Sequence, residues 1–343
     1  MTDTQAHRSR TTAKGRLTHR HPIGLSLSES ITLLLSALLL WFVIKDTTAS
    51  GDAARIGLLL AARSVVPALF PFLVLASLLT ESGLGERIGR KLSRVTGTLF
   101  GISGVGASAF LLGAFCGFPV GARIVSSLYG EGTLSKTEAE RLLFLSNGPS
   151  FAFLFAAVGG GFFRDRGFGL TLYLASVAST ILIGIALRFV FGVCERSEAP
   201  LSVRTHIHPS SLFVSSVVRA GETAVTVSAF VVFFSVLSSA LDALLSALGA
   251  PPALSIFLSG LLELSRGTKN AAETVNGLCG RALCGFFAGW GGLCAHLQVI
   301  ATAERQLPDR ARRNSLSFRS YFLCKFLTGL LCALAVWLVS AFS

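Results

Sequence analysis

The feature that most constrains this chain is a series of long, almost uncharged apolar runs, several of them cut near the middle by glycine, proline or polar residues. Runs of this length match the hydrocarbon thickness of a bilayer when they are helical. They do not alternate apolar and polar residues, which excludes the strands of a membrane barrel. Charged residues make up 14% of the chain and hydrophobic ones 52%, against about 25% charged in an ordinary soluble domain. A soluble globular enzyme would lack the charge to cover its surface, and a disordered chain would need far more polarity. The composition predicts an all-α, polytopic helical membrane protein.

The formal net charge is +12. The basic residues lie between the apolar spans, which is the positive-inside pattern and not that of a nucleic-acid-binding surface. The cysteines, Cys116, Cys194, Cys279, Cys284, Cys294, Cys324 and Cys332, include no C-x-x-C pair and fall nearly all in apolar runs. They read as small hydrophobes, not as a disulfide framework. Cys294 and His296 stand two apart and point to different faces of a helix, which argues against a metal centre. No G-x-x-x-x-G-K-[ST], H-E-x-x-H or G-x-S-x-G occurs, so neither an enzyme nor a cofactor is expected.

Residues 1–27 form a basic tail with Arg8, Arg10, Lys14, Arg16 and Arg20, ahead of a first span from Ser28 to Ile44. A secretory signal would start similarly, but the run is long and Thr48-Ala49-Ser50 is a weak cleavage site, so an uncleaved helix is preferred. Residues 45–64 read as a loop leading into an amphipathic turn. Pro67 and Pro71 stand four apart in the apolar run Val65–Leu79, which therefore cannot be an undisturbed helix. A basic loop at 81–96 leads to glycine-rich residues 97–130, broken at Gly117-Phe118-Pro119-Val120-Gly121. Two half-length arms around such a break predict a re-entrant hairpin and not one poor span. Ser135-Lys136-Thr137-Glu138 reads as a capping box opening a helix. That helix breaks at Asn147-Gly148-Pro149-Ser150 and resumes over Phe151–Val158, with Pro149 at its first position. A full span at 168–193 closes a first repeat, 28–193, and 194–210 reads as a linker.

The second repeat, 211–343, replays this order. A run at 211–241 is followed by a hairpin over 252–280, parted by the polar stretch Glu263–Asn270. Leu278–Ala301 is again a broken run, interrupted at Gly289–Gly292, and Tyr321–Ala341 is the last span. The recurring order of span, broken hairpin and broken helix is the mark of inverted repeats. With the N-terminus in the cytosol, the two hairpins enter from opposite faces. The segments 81–96 and 194–210 and the arginines from Arg305 to Arg319 then all face the cytosol. Trp41 and Trp337 fall near the outer ends of their helices, as interfacial anchors do.

The breaks carry the functional reading. A re-entrant tip aims unpaired helix N-terminal N–H groups at the membrane midplane, where an anion or polar substrate satisfies them. Unwound carbonyls nearby can hold a cation. The expected substrate site has four clusters. The first is Gly117, Pro119 and Gly121, with Phe118 and Val120 between them and Arg123 in the following helix. The second is Asn147, Gly148, Pro149 and Ser150. The third is Glu263, Ser265, Arg266, Gly267, Thr268, Lys269 and Asn270. The fourth is Gly291, Gly292 and His296, with Gly289 before it and Gln298 beyond. Each has a structural alternative. Glycines permit close helix packing, and Arg123 can snorkel to the interface. Glu263 with Arg266, and Lys269 with Glu273, stand at helical pairing distance and can neutralise each other. His296 fits packing slightly better than proton carriage. A coupling ion, proton or sodium, is left open.

Several of these residues also carry a resemblance. Gly117-Phe-Pro-Val-Gly-Ala-Arg123, the Ser135–Arg141 helix start and Ser146-Asn-Gly-Pro-Ser-Phe151 resemble motifs of the sporulation integral membrane protein YlbJ family. Leu262-Glu-Leu-Ser-Arg-Gly267 and Gly291-Gly-Leu-Cys-Ala-His-Leu-Gln298 resemble its second-half motifs. The resemblance spans residues 28–340. It implies a nucleoside-recognition or Gate domain, a core plan like that of concentrative nucleoside transporters, and a role in endospore formation with dipicolinate as cargo. The polar Gln/Thr/Glu signature of nucleoside carriers is absent from Gly117–Gly121, which argues against nucleosides. The expected protein carries a small organic anion through a cell or spore-enclosing membrane, with lipid around it and a homo-oligomer as an open possibility. The alternatives are a non-transporting scaffold for the spore envelope, or nucleoside or metal-ion transport. Cysteines placed at positions 310 and 343 of a cysteine-free chain are expected to react with an impermeant label from opposite faces; labelling of both from one face would sink the inverted-repeat topology.

Overall fold

Helix termini and their caps set the architecture. The structure, a computed structural model, describes residues 27–194, 209–275, 277–307 and 316–342, which hold no strand. The basic tail 1–26, most of the expected linker (195–208) and the arginines at 310, 312 and 313 lie outside the described residues. Helix α1 (Leu27–Lys45) meets α2 (Thr47–Leu60) at 114°. Residues 45–64 are thus helical and not the loop expected, because Asp46 caps α2 by accepting from the Ala49 N–H at 2.8 Å. A π-helical turn, Ala61–Val65, joins α2 to α3 (Val66–Glu81). It lies just before Pro67, whose ring crowds the carbonyl four residues earlier, and the widened turn absorbs that disturbance.

The basic stretch 81–96 also proves helical. Helix α4 (Leu84–Phe100) is flanked by Gly83 and Gly101 with φ of 70° and 66°, a left-handed conformation that glycine adopts without strain. Arg87, Lys91 and Arg94 are exposed, while Gly89, Thr96 and Phe100 are buried. The chain then turns 87° into the next helix, as suits a helix lying in the membrane interface.

The first hairpin pairs α5 (Gly104–Cys116) with α6 (Val120–Gly130), so 97–100 belong to α4. Helix α7 (Lys136–Leu145) opens on Ser135, whose hydroxyl accepts from the Glu138 N–H at 3.2 Å. The Glu138 carboxylate accepts from the Ser103 N–H at 2.6 Å, tying α7 to the start of α5. After a break at 146–150 the chain resumes and passes into a π-helical segment, Phe153–Phe162. Ser150 accepts from the Phe153 N–H at 3.2 Å where the helix restarts at 151, and Pro149 sits outside the helix, not at its first position. Helix α8 (Arg166–Phe191) crosses the membrane domain. Helix α9 (Pro209–Ala247) has 39 residues, about 58 Å at 1.5 Å per residue and nearly twice the hydrocarbon thickness. It packs along α2, α3, α10 and α13 as a spine.

The second hairpin pairs α10 (Pro252–Leu262) with α11 (Leu264–Thr274). Only Glu263 separates them, so Ser265–Asn270, expected as a polar break, are helical; residues 277–280 open the next helix. That helix, α12 (Gly277–Trp290), is parted from α13 (Gly292–Gln306) at Gly291 alone. Gly289 is helical and buried, and a Cβ there would lie 2.5 Å from the Thr328 carbonyl oxygen. Thr328 belongs to the last span, α14 (Arg319–Ala341), which packs along α12.

Two glycines lock the first hairpin onto the first break. A Cβ added at Gly113 or at Gly121 would overlap the Ser146 carbonyl oxygen. No side chain can swing aside there, because the obstacle is backbone. Gly121→Ala is expected to cost about 1–3 kcal/mol through overpacking, read as a lowered melting temperature of the detergent-solubilised protein; an unchanged melting temperature would contradict this packing.

Candidate functional site

Each hairpin's second arm begins in the protein interior with orphan N–H groups. These groups are not left waiting for an anion, as the sequence suggested; the protein itself occupies them. Asn147 Oδ1 accepts from the Ala122 N–H at 3.0 Å in the first turn of α6, while its Nδ2 donates to the Leu143 carbonyl at 2.8 Å. The Phe118 N–H donates to the Gly148 carbonyl at 2.9 Å. At the second tip the Glu263 carboxylate accepts from the Ser265 N–H at 2.9 Å and the Arg266 N–H at 2.6 Å. A carboxylate at the positive end of α11 is stabilised by the helix dipole as well as by these bonds. Asn147 and Glu263 are both buried.

The four breaks meet at one cavity of about 60 Å³. Phe118 comes from the first tip, Pro149 and Ser150 from the first broken helix, Glu263 to Ser265 from the second tip, and Gly291 from the second broken helix. Val227 and Val231 of α9 close one side, and Cys294 and Gln298 of α13 another. Gly291 and Gly292, with φ of 95° and 81°, are where the two tips converge. A Cβ at Gly291 would lie 2.7 Å from the Phe118 ring, and one at Gly292 2.9 Å from the Leu264 nitrogen. Ligand pockets usually measure hundreds of Å³, so the space between the breaks is small in this conformation.

A second, polar cavity of about 140 Å³ adjoins it. Pro119, Arg123, Glu222, Thr226, Thr302 and Arg305 line this space, and Val227 and Gln298 line both cavities as a common wall. Arg123 therefore stands on a polar approach and not in the central cavity. Arg305, read from the sequence as part of a basic loop, stands beside it.

Other expected site residues serve the hairpins. The Arg266 guanidinium turns away to α9, where Nη2 lies 2.7 Å from Asp242 Oδ2 and Nη1 donates to Ser239 Oγ at 2.9 Å and the Ser235 carbonyl at 3.2 Å. The expected Glu263–Arg266 side-chain pair is replaced by this one, because Glu263 is committed to backbone N–H groups. Lys269 pairs with Glu273 at 3.9 Å on the exposed surface. Thr268 donates to the Leu264 carbonyl at 2.8 Å, and Asn270 Nδ2 to Ser259 Oγ at 3.4 Å, tying α11 to α10. A Cβ on Gly267 would overlap the Gly260 backbone, and one on Gly117 would lie 2.5 Å from the Ser150 nitrogen. His296 is buried, with Nδ1 2.9 Å from the Tyr321 hydroxyl and its ring edge-on to Trp290 at 4.4 Å. Its Nε2 has no hydrogen-bond partner among the described residues. No cluster of His, Cys, Asp and Glu suited to a metal occurs among them.

Sequence reasoning missed Lys325. It lies on α14, 1% exposed, and its ammonium donates to the Asn147 carbonyl. The rings of Phe118, Phe144 and Tyr321 surround it with centroids 5.7, 5.2 and 6.0 Å away. The signal was present, since Lys325 is the one charged residue in the run Tyr321–Ala341, and a charge in a membrane span is costly.

Arg266→Gln is expected to destabilise the protein by about 1–2 kcal/mol, because it leaves Asp242 without its partner. Adding Asp242→Asn should recover part of that loss in thermal unfolding, and substrate affinity of the folded protein should not change. A loss of affinity without a loss of stability would return Arg266 to the site.

The comparisons with known proteins fit this arrangement. Residues 62–164, from the π-helical turn to the end of the first broken helix, match the Gate model, described as nucleoside recognition. The chain is 27% identical to the sporulation integral membrane protein YlbJ of Bacillus subtilis (strain 168), covering 92% of this chain and 84% of that protein. Among solved structures, CNTnw in an inward-facing, substrate-bound state superposes with a TM-score of 0.58 at 11% identity, over 92% of this chain and 85% of that one. A CNTnw variant in an outward-facing state gives 0.57 at 12% identity, covering 92% and 86%. The chain is thus an integral membrane protein with the fold of a concentrative nucleoside transporter, resembling YlbJ over nearly its whole length.

Proposed function

We propose that this protein is a secondary transporter that carries a small organic anion in endospore formation, with dipicolinate the first substrate to test. The observation that carries the reading is the convergence of four helix breaks on one cavity beside a polar approach bearing Arg123 and Arg305. Buried breaks must be capped by dedicated polar groups, a cost that a scaffold has no reason to bear. Among the described residues, the approach is lined by two guanidinium groups and the carboxylate of Glu222. A planar guanidinium meets a carboxylate through two parallel hydrogen bonds. Glu263 does not oppose an anion as a free charge would, because its oxygens are engaged by the α11 N-terminus. The sporulation name of the YlbJ relative supports the endospore setting.

A second reading, a nucleoside as cargo, is favoured by Ser150, Ser265 and Gln298 on the central cavity wall, uncharged groups that suit a neutral polar solute. Uptake into proteoliposomes separates the two when dipicolinate is compared with uridine. Dipicolinate uptake is expected, and Arg123→Gln should weaken its binding roughly ten- to a hundred-fold, the equivalent of about 1.5–3 kcal/mol. Arg123→Lys should recover part of it. Uridine uptake without dipicolinate uptake would transfer the site to the second reading, and uptake of neither would favour a scaffold.

A further inference from the structure

Helix α14 enters the apolar interior carrying one ionisable side chain. Lys325 lies six residues past Arg319, where the helix starts, and is 1% exposed. Among the described residues no carboxylate comes within ion-pair range of it; its amino group has the Asn147 carbonyl and three aromatic rings. Aromatic faces and one carbonyl offset only part of the cost of a buried cation. Protonated, the side chain is therefore short of one negative charge, and it holds its proton there only when an anion comes beside it.

Two features turn that deficit toward the substrate cavity. Phe118, one of the rings against Lys325, is also part of the cavity wall. Asn147, whose carbonyl holds the ammonium, is followed within the same break by Pro149 and Ser150, which line the cavity as well. Displacement of one phenyl ring would open the ammonium to the cavity. Resting on the reading of the cargo as an anion, we propose that Lys325 is the counter-ion of a substrate carboxylate and, through the same atom, the residue that couples transport to protons. As the carboxylate arrives, the amine takes one proton from the water on that side. When the carboxylate leaves on the other side, the ammonium releases the proton there. No covalent bond forms or breaks; one proton crosses with each anion, and the site never holds an uncompensated ion. Since the proton favours the anion, the anion favours the proton to the same degree. A sodium ion at this position would face the ammonium charge, so the ion coupled through this atom is the proton.

The titratable surroundings are few. The same helix presents Tyr321 and Cys324, and Cys332 two turns on, where Cys284 of α12 faces it. His296 of α13 is bonded to the Tyr321 hydroxyl. On α7, Glu140 accepts from the Ser317 N–H at 2.7 Å and Arg141 donates to the Phe100 and Gly192 carbonyls. On α8, Tyr173 is bonded to the Ala114 carbonyl. None of these is a free carboxylate facing Lys325.

Wild-type, Lys325→Met and Lys325→Arg proteins, purified and tested with dipicolinate, examine the proposal. Wild-type uptake should be accelerated several-fold by an acid exterior and be unaffected when choline replaces sodium. Lys325→Met should bind dipicolinate at least about tenfold more weakly with an unchanged or raised melting temperature, since a polar amine has been removed from an apolar surround. Lys325→Arg should keep its affinity within about threefold and lose the response to the proton gradient, because a guanidinium keeps its proton. Wild-type affinity in Lys325→Met, a melting temperature that falls together with affinity, or a gradient response that survives in Lys325→Arg would each overturn the inference while leaving anion transport standing. If Lys325→Met does not fold, Lys325→Arg alone decides. A wild-type protein that neither binds nor transports dipicolinate would overturn both readings.

Discussion

A helix that starts inside an apolar interior presents N–H groups that neither lipid nor its own backbone can bond, and each costs about 2–7 kcal/mol if left unmet. The membrane domain is arranged around two such starts. Asn147 meets one with its side-chain amide, from a neighbouring broken helix, and Glu263 meets the other with a carboxylate from its own hairpin tip. The first solution requires the first break to lie against the first tip, and Gly113 and Gly121 make that approach possible on both sides of Ser146. The second requires no neighbour. The second hairpin is instead fastened to the long helix α9 through Arg266 and Asp242. One tip therefore belongs mechanically to a broken helix and the other to the spine.

Both tips rest on Gly291 and Gly292, which sets the dimensions of the site. A side chain at Gly291 would meet Phe118 and one at Gly292 would meet the backbone of Leu264. The cavity is what remains between these contacts, and it is small in this conformation. Enlarging it requires a tip to withdraw from the glycine pair. That links access to the cavity with movement of hairpins, the expected behaviour of a site built from discontinuous helices.

Much of this was legible from residue order alone. Gly, Pro and Asn in the middle of otherwise apolar runs have no place in an undisturbed span, so Gly117–Gly121, Asn147–Ser150 and Gly291 announce their breaks. The misreadings have physical causes. Residues 45–64 and 81–96 read as loops when charge is weighed above helical periodicity, yet an interfacial helix needs one charged face. Ser265–Asn270 looked like a break because it is polar, but polar residues can face a partner helix, and one carboxylate at Glu263 suffices to restart the chain. The partner of Arg266 was assigned by local spacing, whereas Asp242 lies 24 positions away and is brought close by packing. Lys325 was passed over because it interrupts no helix. A lone charge leaves no mark on periodicity, and its importance lies wholly in its burial.

The interior thus holds two ionisable side chains that do not pair with each other. Glu263 is balanced by helix N–H groups and Lys325 by a carbonyl exposed at a helix break. A direct ion pair between them would fasten the second tip to α14 and remove both from any cycle. Bonded separately to backbone, each depends on a segment that can change conformation. Asn147 is the point where these dependencies meet. Its side chain holds the first turn of α6, and its carbonyl holds Lys325. A ligand that competes for the ammonium frees that carbonyl, and the carbonyl belongs to the residue that keeps the first tip in place. The contact offered to Lys325 and the contact that secures the hairpin are two ends of one residue, so a ligand that draws the amine away would act on the residue that holds the first tip.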